Sequence, residues 1–145
     1  MRVVFDTNIL VLYFKGDPAT AILEAAFSGL PVEQLSFFYS EDMFQEYENV
    51  LNRLSEQDAR TYAPQFVADI LAGIRQHGHP IHPMVTFAVG DEGACTHEPD
   101  NRFLECAVEA NANYIVTVND DDFPTTRDDV QIVGPSEFRT LLFSA

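Results

Sequence analysis

Basic side chains are scarce in this chain of 145 residues, and tryptophan is absent. Lysine and arginine together number 8, with Lys15 the only lysine, against 23 aspartate and glutamate residues. The formal charge of −15 disfavours binding of a polyanion over a broad surface, because affinity for nucleic acid comes largely from neutralising phosphates. Any chemistry on a nucleic acid would therefore depend on metal ions or on a local arginine patch.

Cysteines and long apolar runs are scarce too. Cys95 and Cys106 are the only cysteines, and we expect both to be reduced, in a cytoplasmic protein. No apolar run approaches the roughly 20 residues of a membrane span, and the N-terminus lacks the flanks of a secretory signal, so we expect a soluble protein with no membrane partner. Without repeats or a linker, the length predicts one domain over residues 1–145.

Apolar runs rich in β-branched and aromatic residues predict the strands, at residues 3–5, 35–39, 114–118 and 130–133, with a short edge strand near 84–86. Helical spacing and start signals predict helices over residues 9–14, 19–27, 40–54, 58–76 and 135–142, and one from Pro99 and Asp100 to about residue 113. Pro64 predicts a break within the fourth of these. Alternating strands and helices without hairpin signals predict the α/β class, with a parallel sheet covered on both faces.

Asp6 directly follows the first predicted strand. In an open α/β sheet, ligands bind at the C-terminal ends of the strands, so this position directs a carboxylate into the expected crevice. The alternative is that Asp6 only caps the next helix, because aspartate satisfies free N–H groups at a helix start.

Two more carboxylates lie on helix faces that are expected to pack inward. Glu46 lies at the edge of the apolar face of the helix that begins at Ser40, and Asp100 lies on the apolar face of its own helix. Glu46 alone would be an ordinary boundary glutamate. Glu105 and Glu109 lie on the opposite side and are expected in solvent.

An acidic run, Asn119 to Asp122, follows the strand at residues 114–118. A solvated turn is the simplest interpretation for Asp120 and Asp121. Phe123 is expected to anchor the turn in the core, which would hold Asp122 in place. Because the first strand and the strand at residues 114–118 are natural neighbours at the switch point of such a sheet, this run is expected near Asp6.

Carboxylates that converge at one edge repel one another, and a divalent cation is the usual relief. Hard oxygen ligands suit Mg²⁺ or Mn²⁺, and such ions support phosphodiester hydrolysis. Receiver and haloacid-dehalogenase domains pair their aspartates with a lysine after a late strand, whereas Lys15 lies near the start of this chain. Phosphate-cradling and dinucleotide glycine motifs are absent.

Three histidines, His77, His79 and His82, lie close together in a segment with two prolines and a glycine. They are candidates for zinc ligands, but no cysteine or acid lies at ligand spacing, which disfavours a zinc site.

The motifs in this order resemble those of PIN-domain ribonucleases, and in particular the VapC-like toxins of toxin–antitoxin pairs. The resemblance covers almost the whole chain. It rests on residues 4–8, on Ser40, Phe44 and Glu46, on Asp100, Asn101, Phe103, Leu104, Glu105 and Ala107, on residues 115–117, and on Asp122, Phe123 and Pro124. It implies a three-layer α/β/α PIN-like fold with a central parallel sheet of four or five strands, and metal-binding roles for Asp6, Glu46 and Asp100.

The sequence departs from the family pattern at two positions. Many members have an aspartate where this chain has Asn119, and His97 stands where relatives often have another acid. A neutral amide is a weaker ligand for a hard cation than a carboxylate, so we expect Asp122 to complete the metal site. The alternative is that Asn119 holds a metal-bound water and Asp122 only caps the turn.

These arguments define the predicted site. The predicted catalytic residues are Asp6, Glu46, Asp100, Asn119 and Asp122, and the predicted metal ligands are the four acids among them. The resemblance implies an Mg²⁺- or Mn²⁺-dependent endoribonuclease that acts as the toxin of a toxin–antitoxin pair. The alternative is a PIN-fold RNA- or protein-binding module that has lost efficient cleavage.

The expected partners follow from the same interpretation. They are single-stranded or structured RNA, a cognate antitoxin protein that inserts a basic segment, and a second copy of the chain in a homodimer. With few basic residues, RNA binding would involve few phosphate contacts, at Arg102, Arg127 and Lys15, and would show a shallow salt dependence.

Overall fold

A computed structural model describes residues 1–32, 35–91, 93–95, 100–124, 126–127 and 129–144, with the side chains of residues 126 and 127 left out. His97 and Pro99, both used in the sequence predictions, lie outside the described residues. The helices are α1 (Thr7–Phe14), α2 (Ile22–Phe27), α3 (Glu41–Gln57), α4 (Pro64–His77), α5 (Asn101–Glu109) and α6 (Pro135–Ser144). The strands are β1 (Arg2–Phe5), β2 (Ser36–Ser40), β3 (His79–Ile81), β4 (Tyr114–Val116), β5 (Thr126–Arg127) and β6 (Val130–Val133).

The strands form one sheet in the order β3-β2-β1-β4-β6-β5. The first five in this order are parallel, which confirms the predicted parallel sheet and its three-layer α/β/α fold. β1 and β4 are neighbours, with Val4 opposite Ile115, so the switch point lies where the sequence predicts it. The ends of β1 and β4 therefore meet at one edge.

The core is built around β1, whose Val3, Val4 and Phe5 are all buried. The Phe5 ring meets the rings of Phe27 and Phe138 at 6.4 and 5.7 Å, so α2 and α6 pack on that face. α5 packs against β1, β2 and β4, and α3 contacts both α1 and α5. This packing holds three helices, α1, α3 and α5, around the edge where β1 and β4 end.

Two strand predictions are wrong. The edge strand lies at His79–Ile81 and not near residues 84–86, where the Met84 side chain is 87% exposed. Its Pro80 is tolerated because an edge strand does not need every backbone N–H. β5 and β6 also form an antiparallel pair, although the sequence shows no standard hairpin signal. Asp129 in their connection has a φ of 66°, a conformation that aspartate accepts more readily than most residues.

The α3–α4 connection also differs from the prediction. α3 continues to Gln57, and the residues from 58 to 63 are not helical. Pro64 therefore does not break a helix as predicted but begins α4, where in the first turn its missing N–H has no helical partner to lose.

The prediction that Glu105 and Glu109 lie free in solvent is wrong. Glu105 accepts a hydrogen bond from the Phe87 N–H at 2.7 Å, and Glu109 accepts one from the Met84 N–H at 2.6 Å. The two glutamates thus tie the segment before residue 90 to α5.

Both cysteines are buried and form no disulfide, in agreement with the prediction of reduced thiols. His77, His79 and His82 do not come together as a metal-holding group within the described residues. In the same part of the chain, no helix combines the length and the apolar character that a membrane span requires.

Candidate active site

An open pocket of about 670 Å³ lies at the edge where β1 and β4 end. Its lining includes all five predicted catalytic residues, which come from the ends of two strands and from two helices. The lining residues are Asp6, Thr7, Asn8, Val11, Glu46, Val50, Arg53, Asp100, Asn119 and Asp122. The fold thus brings together side chains that are up to 116 residues apart in the sequence.

Asp6 is buried and lines this pocket, with 4% of its surface exposed. Its Oδ1 accepts a hydrogen bond from the Thr7 N–H at 2.7 Å. Its Oδ2 accepts from the Thr117 hydroxyl at 2.7 Å and from the Asn8 side-chain amide at 3.2 Å. Asp6 therefore caps α1 and also lines the pocket, so both interpretations of this residue apply.

The electrostatic environment of Asp6 opposes its ionisation. Burial raises the pKa of its carboxyl from 3.8 to about 6, and the charges of Asp100 and Glu46 add to the rise. Hydrogen bonds from Thr117 and Thr7 act in the opposite direction but do not cancel it. The carboxylates of Asp100 and Glu46 are thus close enough to raise the pKa of Asp6, which is the condition that a bound cation would relieve.

Glu46 is half-buried and is held from two sides. Its Oε2 accepts a short hydrogen bond from the Thr7 hydroxyl, and its Oε1 lies 3.9 Å from Nη1 of Arg102. The next residue, Tyr47, is buried and donates a short hydrogen bond to the carbonyl of Phe5. This bond links the helix residue beside Glu46 to the strand residue beside Asp6.

Asp100 precedes α5 and is 7% exposed, as its place on the apolar face predicts. Its side chain makes no capping hydrogen bond to the helix, so helix capping does not explain why an acid lies there. The neighbouring Asn101 is buried, and its Oδ1 accepts from the Cys95 N–H at 2.9 Å. Burial, then Asp100, raise the pKa of the Cys95 thiol to about 12, which makes this thiol unsuited to nucleophilic chemistry.

The acidic run after β4 forms a short 3-10 helix, Asp120–Asp122. Phe123 is buried, Asp122 is half-buried and lines the pocket, and Asp120 and Asp121 are exposed. The expected difference in exposure among the three aspartates is confirmed. Asn119 is exposed at the pocket rim, and its carbonyl accepts from the Asp122 N–H at 3.0 Å.

Several residues of the site were not predicted from the sequence. Thr7 and Asn8 follow Asp6 directly, and Thr117 contacts Asp6 from β4's end, so all three orient the carboxylates. The signal that was available is their position, since Thr7 and Asn8 lie within three residues of the first predicted strand and Thr117 lies near the end of the strand predicted at residues 114–118. Arg53 had no such signal, because only the packing of α3 on α1 places it at the pocket.

The donor chemistry of the pocket suits a hard cation, because it offers carboxylate and amide oxygens. As the side chains stand, no three histidine, cysteine, aspartate or glutamate residues in the described ranges are grouped closely enough to hold a metal ion. The oxygens of Asp6 and Glu46 instead accept hydrogen bonds from Thr7, Asn8 and Thr117. Metal binding here would therefore require side-chain rotation, which a half-buried glutamate at an open pocket allows.

Comparison with known proteins supports the fold assignment from a second direction. No curated protein sequence matches the chain significantly. A family model described as PIN domain matches residues 2–121, which include β1 to β4 and all of the predicted site except Asp122. Because this match covers well over half of the 145 residues, the chain belongs to the PIN-domain family, whose members are generally nucleases that use divalent metal ions.

Proposed function

We propose that this chain is an endoribonuclease that depends on Mg²⁺ or Mn²⁺. The observation that carries the proposal is the convergence of Asp6, Glu46 and Asp100 on one open pocket, where two of the three raise the pKa of the third. Such a cluster is costly without a cation, and carboxylate clusters that hold metal ions are a recurrent arrangement for phosphodiester hydrolysis.

The metal ligands in this proposal are Asp6, Glu46, Asp100 and Asp122. A bound cation would lower the pKa of a water molecule and offset charge on the phosphoryl oxygens. Asp122 contributes the carboxylate that Asn119 lacks, because it lines the same pocket one short turn further along the chain.

The remaining polar residues have positioning roles. The Thr117 hydroxyl and the Asn8 amide fix one oxygen of Asp6, and the Thr7 hydroxyl fixes one oxygen of Glu46. Asn119 is neutral and exposed at the rim, where its amide can orient a water molecule or a phosphate oxygen without adding charge. Arg102 offsets part of the charge of Glu46.

Cleavage of RNA by the purified chain tests the proposal. A fluorescently labelled single-stranded RNA should be cut internally in Mn²⁺ or Mg²⁺ and remain intact in EDTA. Asp100→Asn should lose most of the activity, whereas Asp121→Asn, a matched change at an exposed carboxylate, should keep it. Cleavage that persists in EDTA, or that survives Asp100→Asn, would refute the proposed mechanism.

The role of toxin in a toxin–antitoxin pair is the more specific part of the proposal. Its support is the resemblance of the motifs to VapC-like toxins together with an acidic, open pocket that suits a basic inserted segment. The partner would be an antitoxin that places an arginine among Asp6, Glu46 and Asp100, where it would occupy the position of a cation. A homodimer is part of the same proposal, and light scattering of the purified chain tests it.

A PIN-fold binding module without efficient cleavage is the second candidate. Two observations favour it: Asn119 replaces a carboxylate, and the described side chains are not grouped as a ready metal site. This candidate predicts binding of RNA or a protein that EDTA leaves unchanged, with no cleavage in Mn²⁺.

A further inference from the structure

The part of the pocket that lies between helices α1 and α3 forms a groove. α1 contributes Asn8 and Val11 to the pocket lining, and α3 contributes Glu46, Val50 and Arg53. Residues three or four positions apart share one face of a helix, so one face of each helix lines the groove. We refer to these five residues as the α1–α3 groove.

The charge changes sign along this groove. Glu46 lies at its acidic end, beside Asp6. Arg53 is seven residues further along α3, which is two helical turns or about 10 Å. Lys15 lies outside the pocket lining, but it follows Val11 by four residues and so extends the same face of α1 by about one turn. Both cations are exposed.

These two cations are available to a ligand, whereas three other basic side chains are engaged. Arg2 donates twice to a backbone carbonyl, at 3.0 and 2.6 Å, and Arg75 forms two hydrogen bonds of 2.7 Å with one glutamate. Arg102 lies against Glu46 and donates to a backbone carbonyl at 3.4 Å. Within the part of the chain that the structure describes, neither Arg53 nor Lys15 has a side-chain hydrogen bond or ion pair.

The floor between the two charged ends is apolar. Val11 and Val50 are each half-buried, and both line the pocket. An ion alone would gain nothing from this floor, but the sugars and base edges of a polynucleotide would bury apolar surface on it. The groove thus runs from carboxylates over apolar side chains to basic side chains. This order matches an RNA strand whose reacting phosphate lies at the carboxylates and whose next phosphates lie at Arg53 and Lys15.

We propose that the α1–α3 groove binds the single strand of RNA that flanks the cleaved phosphate, with Arg53 and Lys15 as its phosphate contacts. This inference rests on the proposed ribonuclease function and names the path of its substrate. It replaces the predicted contact at Arg102, which is engaged with Glu46. The predicted contact at Arg127 concerns a side chain outside the described residues.

Binding measured without turnover is the first test. Fluorescence anisotropy of a labelled single-stranded RNA, with Ca²⁺ in place of Mn²⁺ and the RNA verified as intact, yields the dissociation constant across a salt series. Arg53→Ala and Lys15→Ala should each weaken binding by roughly threefold to tenfold. Each should also reduce the magnitude of the negative slope of log affinity against log salt by about 0.7, and the double variant by about 1.4. Arg53→Lys should retain the slope.

The matched control is Arg139→Ala, the same loss of charge at an exposed residue of α6 that does not line the acidic pocket. It should leave the slope unchanged, so the test separates local contacts from the net charge of the chain. If Arg53→Ala and Arg139→Ala change affinity and slope equally, the groove does not hold the strand.

Cleavage kinetics and substrate length are the second test. Arg53→Ala should raise KM more than it lowers kcat for an oligonucleotide of six or more residues, because the contact lies about 10 Å from the acids. A dinucleotide that has only the cleaved phosphate should be cut equally well by wild type and variant. An equal loss on the dinucleotide would overturn the proposed path and leave the ribonuclease function standing. If the wild type neither binds nor cuts RNA, the proposed function fails, and this inference fails with it.

Discussion

Replacing Asp6 by asparagine should change how the stability of the protein depends on pH. The pKa of Asp6 is raised from 3.8 to about 6 in the folded protein, mainly by burial. Between these two values the folded state binds more protons than the unfolded state, so the free energy of unfolding falls as the pH rises from about 4 to about 6. The difference corresponds to about 3 kcal/mol, and this loss of stability is complete above about pH 7.

The asparagine side chain is neutral throughout this pH range, so it removes the contribution of residue 6 to the pH dependence of the free energy of unfolding. It also introduces a conflict, because an amide donor would face the Asn8 amide, which donates to Oδ2 at 3.2 Å. We therefore expect Asp6→Asn to be less stable than wild type near pH 4, by about 1 kcal/mol, and more stable near pH 7, by up to about 2 kcal/mol. The two stability curves should cross.

Urea denaturation at pH 4 to 8 in EDTA, at constant ionic strength, measures both curves. The exposed Glu41 and Asp58 have lowered pKa values, so their contribution to the stability of the protein is lost as the pH falls. This contribution is the same in wild type and in Asp6→Asn. Asp121→Asn, at an exposed carboxylate, should follow the wild-type curve. Parallel curves for wild type and Asp6→Asn would refute the argument. At pH 7, Mn²⁺ should raise the melting temperature of wild type and raise that of Asp6→Asn less.

Three further predictions concern the metal and the partner. Asp122→Asn should lower Mn²⁺ affinity by about tenfold or more while Asp120→Asn changes it little, and Asn119→Asp should raise it; equal effects at the two aspartates in calorimetry would remove Asp122 from the site. Arg102→Ala should raise Mn²⁺ affinity by up to about fivefold, because it frees Glu46 from a partly exposed ion pair, and a weaker affinity would contradict this. An arginine-bearing peptide should compete with Mn²⁺ for the pocket, whereas independent binding of the two in a titration would count against a shared site.

The sequence predicts the parallel sheet well because its signals are local. Buried runs such as Val3 to Phe5 have no other stable place in a chain of this size, and start signals such as Ser40 act within one helical turn. The edge strand β3 was not predicted because Pro80 and two nearby histidines suppress the usual strand pattern, and because its pairing with β2 depends on a distant segment. The β5–β6 pair was not predicted because the residue with a left-handed backbone conformation in its connection is Asp129 and not a glycine.

The five candidate site residues could be predicted because each lies at the end of a strand or on the inward side of a helix. Their hydrogen-bond partners could not, because a bond such as that from Thr117 to Asp6 joins residues 111 positions apart. Arg53 lay beyond prediction for the same reason. On α3 it is one exposed arginine among several polar residues, and only the contact with α1 gives it a place beside the pocket.

The hydrogen bond from Tyr47 to the carbonyl of Phe5 links the position of α3 to that of β1. Tyr47 is adjacent to Glu46 and Phe5 is adjacent to Asp6, so the separation of the two carboxylates is determined by side chains packed in the interior. Core substitutions that shift α3 against β1 should therefore alter the pocket before they unfold the chain. Within the described residues the exposed side chains of Asp120 and Asp121 form no such tie to the interior, so descendants of this protein are free to diversify at these two positions while the Asp6 and Glu46 pair stays fixed.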